Sequence, residues 1–389
     1  LGIISSDLGK LWNLLRERTS YHFDVFLLLA YLVSLFVTCA IRLSIEADLK
    51  TLLSTAAYSV FFIGLVFILV IDEGKKKVFV HGLFAGNFAT VFSIVLNALW
   101  DSVGEGGAFV NKTNDIFGWD IHHFFNYNPL IMLMVFFVFF PRYWMLNKTL
   151  LWRGGLWFYA LFISLISILS ASRESFLLLL GFVALYLFFG FRTVGKKAVA
   201  VILSSVVISL GIAYGQAGTE LTLHRKISRI FFPRTPKDIT AGRKGALVGA
   251  IRGHKEVGTS KDSGKSNSTV NSELLRWIIG SYDKKFGSLP GSHNYYVEIL
   301  LWYGGFSFLF ASLYWMKISL RCIKTIFLSF IYKKNKEIPV LEFTILFIGI
   351  VSNNLRLPLR IPFSALVIGV ILGLYYTTRQ NIEVFPNEN

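Results

Sequence analysis

The segment Ser292–His293–Asn294–Tyr295–Tyr296 places a histidine where a polar stretch gives way to an apolar run. At a helix N-terminus the macrodipole disfavours imidazolium and leaves neutral imidazole, which can act as a general base near neutral pH. The unpaired N–H groups of the same helix end suit an anion such as pyrophosphate. The position suits equally a histidine that only anchors a helix at the membrane interface, and the residues alone leave both readings open.

Arginines are the second group that can do chemistry. Arg173 sits in the short polar break Ser170–Ala171–Ser172–Arg173–Glu174–Ser175, and Arg356 and Arg360 sit in Asn353–Asn354–Leu355–Arg356–Leu357–Pro358–Leu359–Arg360. Such residues can simply snorkel along apolar surface. Short tethers also hold them near the mouth of a helix bundle, where a guanidinium fork grips phosphate oxygens in pairs. Arg276, followed by Trp277, adds a fourth candidate in a long polar stretch. An Arg-x10-Gly spacing occurs at Arg276–Gly287 and again at Arg234–Gly245, about as often as random placement gives, so spacing alone carries no weight.

Other chemistries lack their residues. No phosphate-binding P-loop, nucleophile elbow or dinucleotide fingerprint occurs, and no Asp-x-Asp or Glu-x-Asp pair lies in the long polar stretches. His122 and His123 are adjacent, a spacing at which two imidazoles seldom share one metal, and no carboxylate–histidine cluster accompanies them. They read as ordinary loop residues, and neither a metal nor a cofactor is expected. Cys39 and Cys322 make no disulfide framework.

The elements that position these residues are apolar and long. Of the 389 residues 54% are hydrophobic and 16% charged, well under the about 25% charged of a soluble domain. Ten apolar runs are long enough, or nearly so, to cross a ~30 Å hydrocarbon layer: 25–41, 52–71, 78–99, 129–140, 156–170, 175–191, 198–214, 295–316, 339–352 and 361–376. The fourth and ninth are short and borrow flanking residues. The run 318–331 reads as an interfacial helix or as a continuation of the eighth span, not as a separate crossing. The segment 8–15 reads as amphipathic and interfacial.

Charge gives the orientation. Alternate short segments carry 19 Lys/Arg against 6, so the richer set, including Lys75–Lys76–Lys77 and Lys333–Lys334, is expected on the cytoplasmic side. Both termini are then inside, and the stretches 100–128 and 216–292 are outside. The net charge of +16 is spread between apolar runs as topology signals, which argues against nucleic acid as a partner. The expected organisation is a transmembrane bundle of seven spans at 1–215, a periplasmic catalytic loop at 216–292, and three spans with a short cytoplasmic tail at 293–389. That loop holds 14 Lys/Arg against 6 Asp/Glu, with a Gly/Ser/Lys-rich insertion near 258–272.

Taken together, the Ser-x-Ser-Arg hairpin, the long outer loop, Arg276–Trp277, and Gly291–Ser292–His293–Asn294–Tyr295 with Glu298 and Gly304–Gly305 resemble the bacterial O-antigen polymerase and O-antigen ligase superfamily. The resemblance covers roughly 156–376. It implies an all-α polytopic membrane protein, a GT-C-like membrane glycosyltransferase helix bundle with one long periplasmic loop, in the bacterial inner membrane. Family members carry more than ten spans, which leaves room for two before Leu1.

The implied activity is metal-independent transfer of a glycan from undecaprenyl pyrophosphate to a sugar hydroxyl of another lipid-linked repeat unit. His293, Arg276 and Arg173 are implied as catalytic, and Arg356, Arg360, Asn294 and Tyr295 as binding pyrophosphate and glycan. Partners would be the undecaprenyl-pyrophosphate-linked oligosaccharide, the lipid bilayer and a candidate chain-length regulator. Transfer to lipid A–core or to a protein hydroxyl, as a ligase, is the alternative within this class. A transporter or flippase for lipid-linked glycans is the alternative outside it. Such a protein would be expected to carry ionisable residues near mid-membrane, whereas the only carboxylates in the runs above are Glu298 and Glu342, both toward their ends.

Overall fold

A lipid-embedded backbone must satisfy its own N–H and C=O groups, and long apolar runs do so as helices. The structure, a computed structural model, describes residues 19–43, 60–66, 68–70, 73–105, 121–146, 148–169, 173–215, 278, 295–332, 339–352 and 362–383. Among the described residues almost all are helical and none is in a strand. The helices are α1 (Thr19–Leu43), α2 (Val60–Val70), α3 (Glu73–Glu105), α4 (Ile121–Leu146), α5 (Leu150–Leu169), α6 (Arg173–Leu185), α7 (Lys196–Gly215), α8 (Tyr295–Tyr332), α9 (Val340–Phe347) and α10 (Pro362–Glu383). Wider π-helical turns continue α6 over Tyr186–Gly190 and α9 over Ile348–Ser352.

Six of these stretches are long and apolar enough to cross a membrane: Gly74–Val95, Pro129–Leu146, Leu150–Ile168, Glu174–Thr193, Lys196–Tyr214 and Tyr303–Ile331. Four are shorter apolar helices: Phe23–Thr38, Val60–Val70, Val340–Val351 and Ala365–Thr378. Each apolar run read from the sequence overlaps one of the ten. The chain is thus a multi-helix membrane protein. The short fourth run borrows flanking residues as expected and is the middle of a 26-residue helix, α4. The first turn of that helix holds His122 and His123, so this pair is helical and not in a loop. The run 318–331 continues α8, one of the two readings the sequence left open. The eighth run is not one straight helix, because α8 breaks at Gly304. The long polar stretch 216–292 lies outside the described residues except Ile278.

The chain divides into two compact units. The first comprises Leu1–Lys76, Thr240–Ile323 and Ile345–Asn389. In it α1 lies against the second part of α8 through polar contacts at three levels: Thr38 donates to the Tyr303 carbonyl (3.1 Å), Ser34 meets Ser307 (3.0 Å), and Asp24 pairs with Lys317 and Arg321. The residue numbers rise on one helix as they fall on the other, so the two are antiparallel. α10 packs on α2 through Gly369 and Gly373, where an added Cβ would stand 3.3 Å from the Phe62 carbonyl and 2.8 Å from Leu69 Cβ. Two small residues four apart let membrane helices approach this closely.

The second unit comprises Lys77–Ile239 and Lys324–Thr344. Its centre is α4, apolar on every side and buried almost continuously from Leu130 to Phe140, as such a helix must be. Tyr159 of α5 sits edge-on to Phe136 and Phe84, and Phe137 stacks on Phe182 of α6. Buried polar groups find partners across helices. Asn87 of α3 donates to the Met132 carbonyl (3.0 Å) and to the Tyr159 hydroxyl, and Tyr186 donates to the Phe137 carbonyl (3.0 Å). α5 and α7 are joined by Trp157 to Ser204 and by Ser209 to the Leu161 carbonyl, both 3.0 Å.

Candidate functional site

Of the catalytic and binding candidates, Arg173 and Tyr295 fall in described segments, each as the opening residue of a helix: Arg173 of α6 in the second unit, Tyr295 of α8 in the first. His293, Asn294, Arg276, Arg356 and Arg360 lie outside the described residues. Glu174 and Ser175, which follow Arg173 in the first turn of α6, are buried. A carboxylate in a first turn faces the positive end of the helix dipole, so Glu174 is favourably placed there.

The helix that Tyr295 opens has a definite backbone geometry. Gly304 adopts φ 80° and ψ −178°, a backbone conformation open essentially to glycine alone. The break is sharp, and two contacts measure it. The Tyr296 hydroxyl donates to the carbonyl of Gly349, in the π-helical turn after α9, at 3.0 Å. A Cβ added to that same Gly349 would stand 2.6 Å from Ser319 Oγ and 3.3 Å from the Trp315 ring. On a straight helix Tyr296 and Ser319 would be roughly 35 Å apart. Both reach one residue, so the leading segment 295–303 folds back toward the helix that follows Gly304.

Hydroxyls support the break. The Tyr303 carbonyl, just before Gly304, accepts from Thr38 of α1 and from Ser307, each at 3.1 Å. Carbonyls displaced from a regular helical ladder need donors of this kind. The Gly304–Gly305 pair, noted in the sequence only as part of a motif, therefore has a physical role at its first member: it turns the chain.

A second feature was not singled out from the sequence. Asp24 is only 1% exposed on α1, and its two carboxylate oxygens meet two cations of α8. Lys317 Nζ lies 2.7 Å from Oδ1, and Arg321 donates to Oδ2. The Lys317 ammonium also sits over the Phe23 ring, 4.2 Å from its centroid. Both cations keep about a quarter of their side chain exposed, so the cluster is a buried anion under two partly solvated cations. One turn earlier on α8, Tyr314 hydrogen-bonds Tyr376 of α10 at 3.2 Å. An ionisable group inside an apolar helix is a functional candidate by default. Here both oxygens are engaged, and the chemistry is that of a latch between α1 and α8.

Among the described residues no three His, Cys, Asp or Glu side chains gather where a metal ion could be held. No protein-family model, curated protein or solved structure matches the chain.

Proposed function

We propose that this chain is a metal-independent membrane glycosyltransferase of GT-C-like architecture. Its reaction is polymerisation of O-antigen or a related surface polysaccharide from an undecaprenyl-pyrophosphate-linked donor. The observation that carries the reading is the sequence Ser292–His293–Asn294 directly ahead of Tyr295, the first residue of a helix that is broken at Gly304, a glycine of the same motif. In the reaction a hydroxyl of the acceptor repeat unit attacks the anomeric carbon of the donor's first sugar. The new C–O bond forms as the bond to the pyrophosphate oxygen breaks. His293 takes the hydroxyl proton, and the electron pair leaves with the pyrophosphate.

Arg276 and Arg173 stabilise that departing charge, with Arg356 and Arg360 assisting and Asn294 and Tyr295 contacting the sugar or its pyrophosphate. Donors placed in advance where charge develops are worth several kcal/mol in a water-poor site. Pyrophosphate on a polyprenol is already a good leaving group, so no metal is needed. The charge asymmetry between short segments supports a reaction on the periplasmic face, with both termini cytoplasmic.

The test is transfer by the purified full chain in lipid, supplied with undecaprenyl-pyrophosphate-linked repeat units and resolved as a ladder of product lengths. A ladder is expected from the wild type and none from Arg276→Ala, with Arg276→Lys recovering little because an ammonium lacks the planar fork. A wild-type protein that moves glycan only onto lipid A–core is a ligase. One that moves lipid-linked units across vesicles without forming a glycosidic bond is a transporter.

A further inference from the structure

The fold-back at Gly304 ends on one hydrogen bond, from the Tyr296 hydroxyl to the Gly349 carbonyl. The acceptor is not an ordinary helical carbonyl. Gly349 belongs to the π-helical turn Ile348–Ser352, where one extra residue per turn shifts carbonyls out of the usual ladder, and such turns recur at functional positions. Its lack of a side chain is required, because Ser319 Oγ and the Trp315 ring occupy the space a Cβ would take. The donor is equally specific. A phenol reaches across the gap, is neutral in an apolar setting, and delivers one directed proton.

We propose that Tyr296 is a positioning residue for glycan transfer: its hydroxyl pins the leading turn of α8 to the π-helical turn after α9. The inference rests on the transferase reading given above. In the chain, Tyr296 follows His293 and Asn294 within one helical turn's length of sequence, and Ser352 precedes Arg356 by four residues. The Tyr296–Gly349 bond ties the start of α8 to the π-helical turn after α9, the two described ends from which the stretches bearing His293 and Arg356 continue in sequence. Tyr296 touches neither substrate nor reacting atoms in this role.

The experiment uses the full chain in lipid with an undecaprenyl-pyrophosphate-linked repeat unit. Tyr296→Phe keeps the ring and removes the pin. A misalignment of about an ångström costs up to ~100-fold, so kcat should fall about 10- to 100-fold, with KM for the donor and the amount of folded protein unchanged. Gly349→Ala should mimic it by driving the turn away from Ser319, and Ser319→Ala, which removes the obstructing oxygen, should return part of the lost kcat in that background while leaving the otherwise wild-type protein unaffected.

An arm independent of activity replaces Tyr296 with the photoreactive benzoylphenylalanine. Irradiation should join it to the peptide that contains Gly349. Wild-type kcat in Tyr296→Phe, with an active wild type beside it, overturns the positioning role and leaves the transferase reading standing. Absence of the crosslink overturns the pin itself. A wild type inert toward every polyprenyl-pyrophosphate donor defeats the reading and this role together.

Discussion

Thr38 Oγ1 on α1 donates to the backbone carbonyl of Tyr303 on α8 at 3.1 Å, one residue ahead of the point where α8 breaks. Ser307 donates to the same oxygen from the other side of the break. The kink is therefore specified three times over: by a glycine that can take the backbone angles, by a hydroxyl on the same helix, and by a hydroxyl on a neighbour. A bend held in this way is part of the fold and not a local irregularity.

Gly304→Ala follows directly. An alanine at φ 80° with an extended ψ costs on the order of 1–3 kcal/mol, because the added Cβ meets its own backbone. Thermal unfolding of the purified protein in detergent or nanodiscs should shift down accordingly, and the benzoylphenylalanine crosslink from position 296 should weaken. A Gly304→Ala protein as stable as the wild type would mean that α8 runs straight through this position.

Asp24 and its two cations predict an asymmetry. With Asp24→Asn, Lys317 and Arg321 lose a charged partner but keep part of their solvent exposure, so the loss should be modest, about 1.5–3 kcal/mol. With Lys317 and Arg321 both changed to Met, a carboxylate that is 1% exposed is left without a cation, and about 3–5 kcal/mol should go. Unfolding midpoints of the two variants, compared side by side, give the order. Equal losses would show that the anion is better solvated than its burial indicates.

Sidedness is open to a direct measurement. Cysteine placed at Ser260 should react with a membrane-impermeant maleimide added to intact spheroplasts, and cysteine at Lys334 should react only after lysis. Of the two native cysteines, Cys322 is buried and should stay silent, and Cys39 is replaced by serine for the assay. Labelling of Lys334→Cys but not Ser260→Cys in intact cells would invert the orientation and remove the long basic stretch from the periplasm.

Much of the helical architecture was legible because its signal is long: an apolar run of about twenty residues between charged flanks has few other readings. What escaped was set by single residues and by partners remote in sequence. Asp24 stands one residue before the apolar run that begins at Val25, so it read as a flank, and Lys317 and Arg321 read as topology signals; nothing local links the three across almost 300 residues. The Gly304 break was invisible for a related reason. Glycine is common inside membrane helices, and only the backbone angles distinguish a hinge from a packing contact. Tyr296 had one hint, its place within a motif-bearing segment, but its partner Gly349 lies 53 residues away. The sequence offered a candidate base and candidate phosphate-binding arginines by residue type alone, whereas the geometry that joins Tyr296 to the π-helical turn required three dimensions.

The proposed role of His293 as base gives the sharpest functional prediction. If His293 accepts the proton of the attacking hydroxyl, His293→Gln keeps hydrogen bonding but cannot be protonated, and turnover should fall about 10²- to 10⁴-fold with donor affinity nearly preserved. The wild-type rate should decline as pH is lowered, since imidazolium has no lone pair left to receive the proton, and the residual rate of His293→Gln should lack that decline. Arg276→Ala separates the two contributions: it should slow transfer at every pH without changing the shape of the profile, because a guanidinium does not titrate in this range. Product ladders taken across pH for the three proteins are sufficient. A His293→Gln enzyme that polymerises at the wild-type rate with the wild-type pH profile would leave the histidine as an anchor of the helix end, and stabilisation of the leaving pyrophosphate by arginine would have to carry the catalysis.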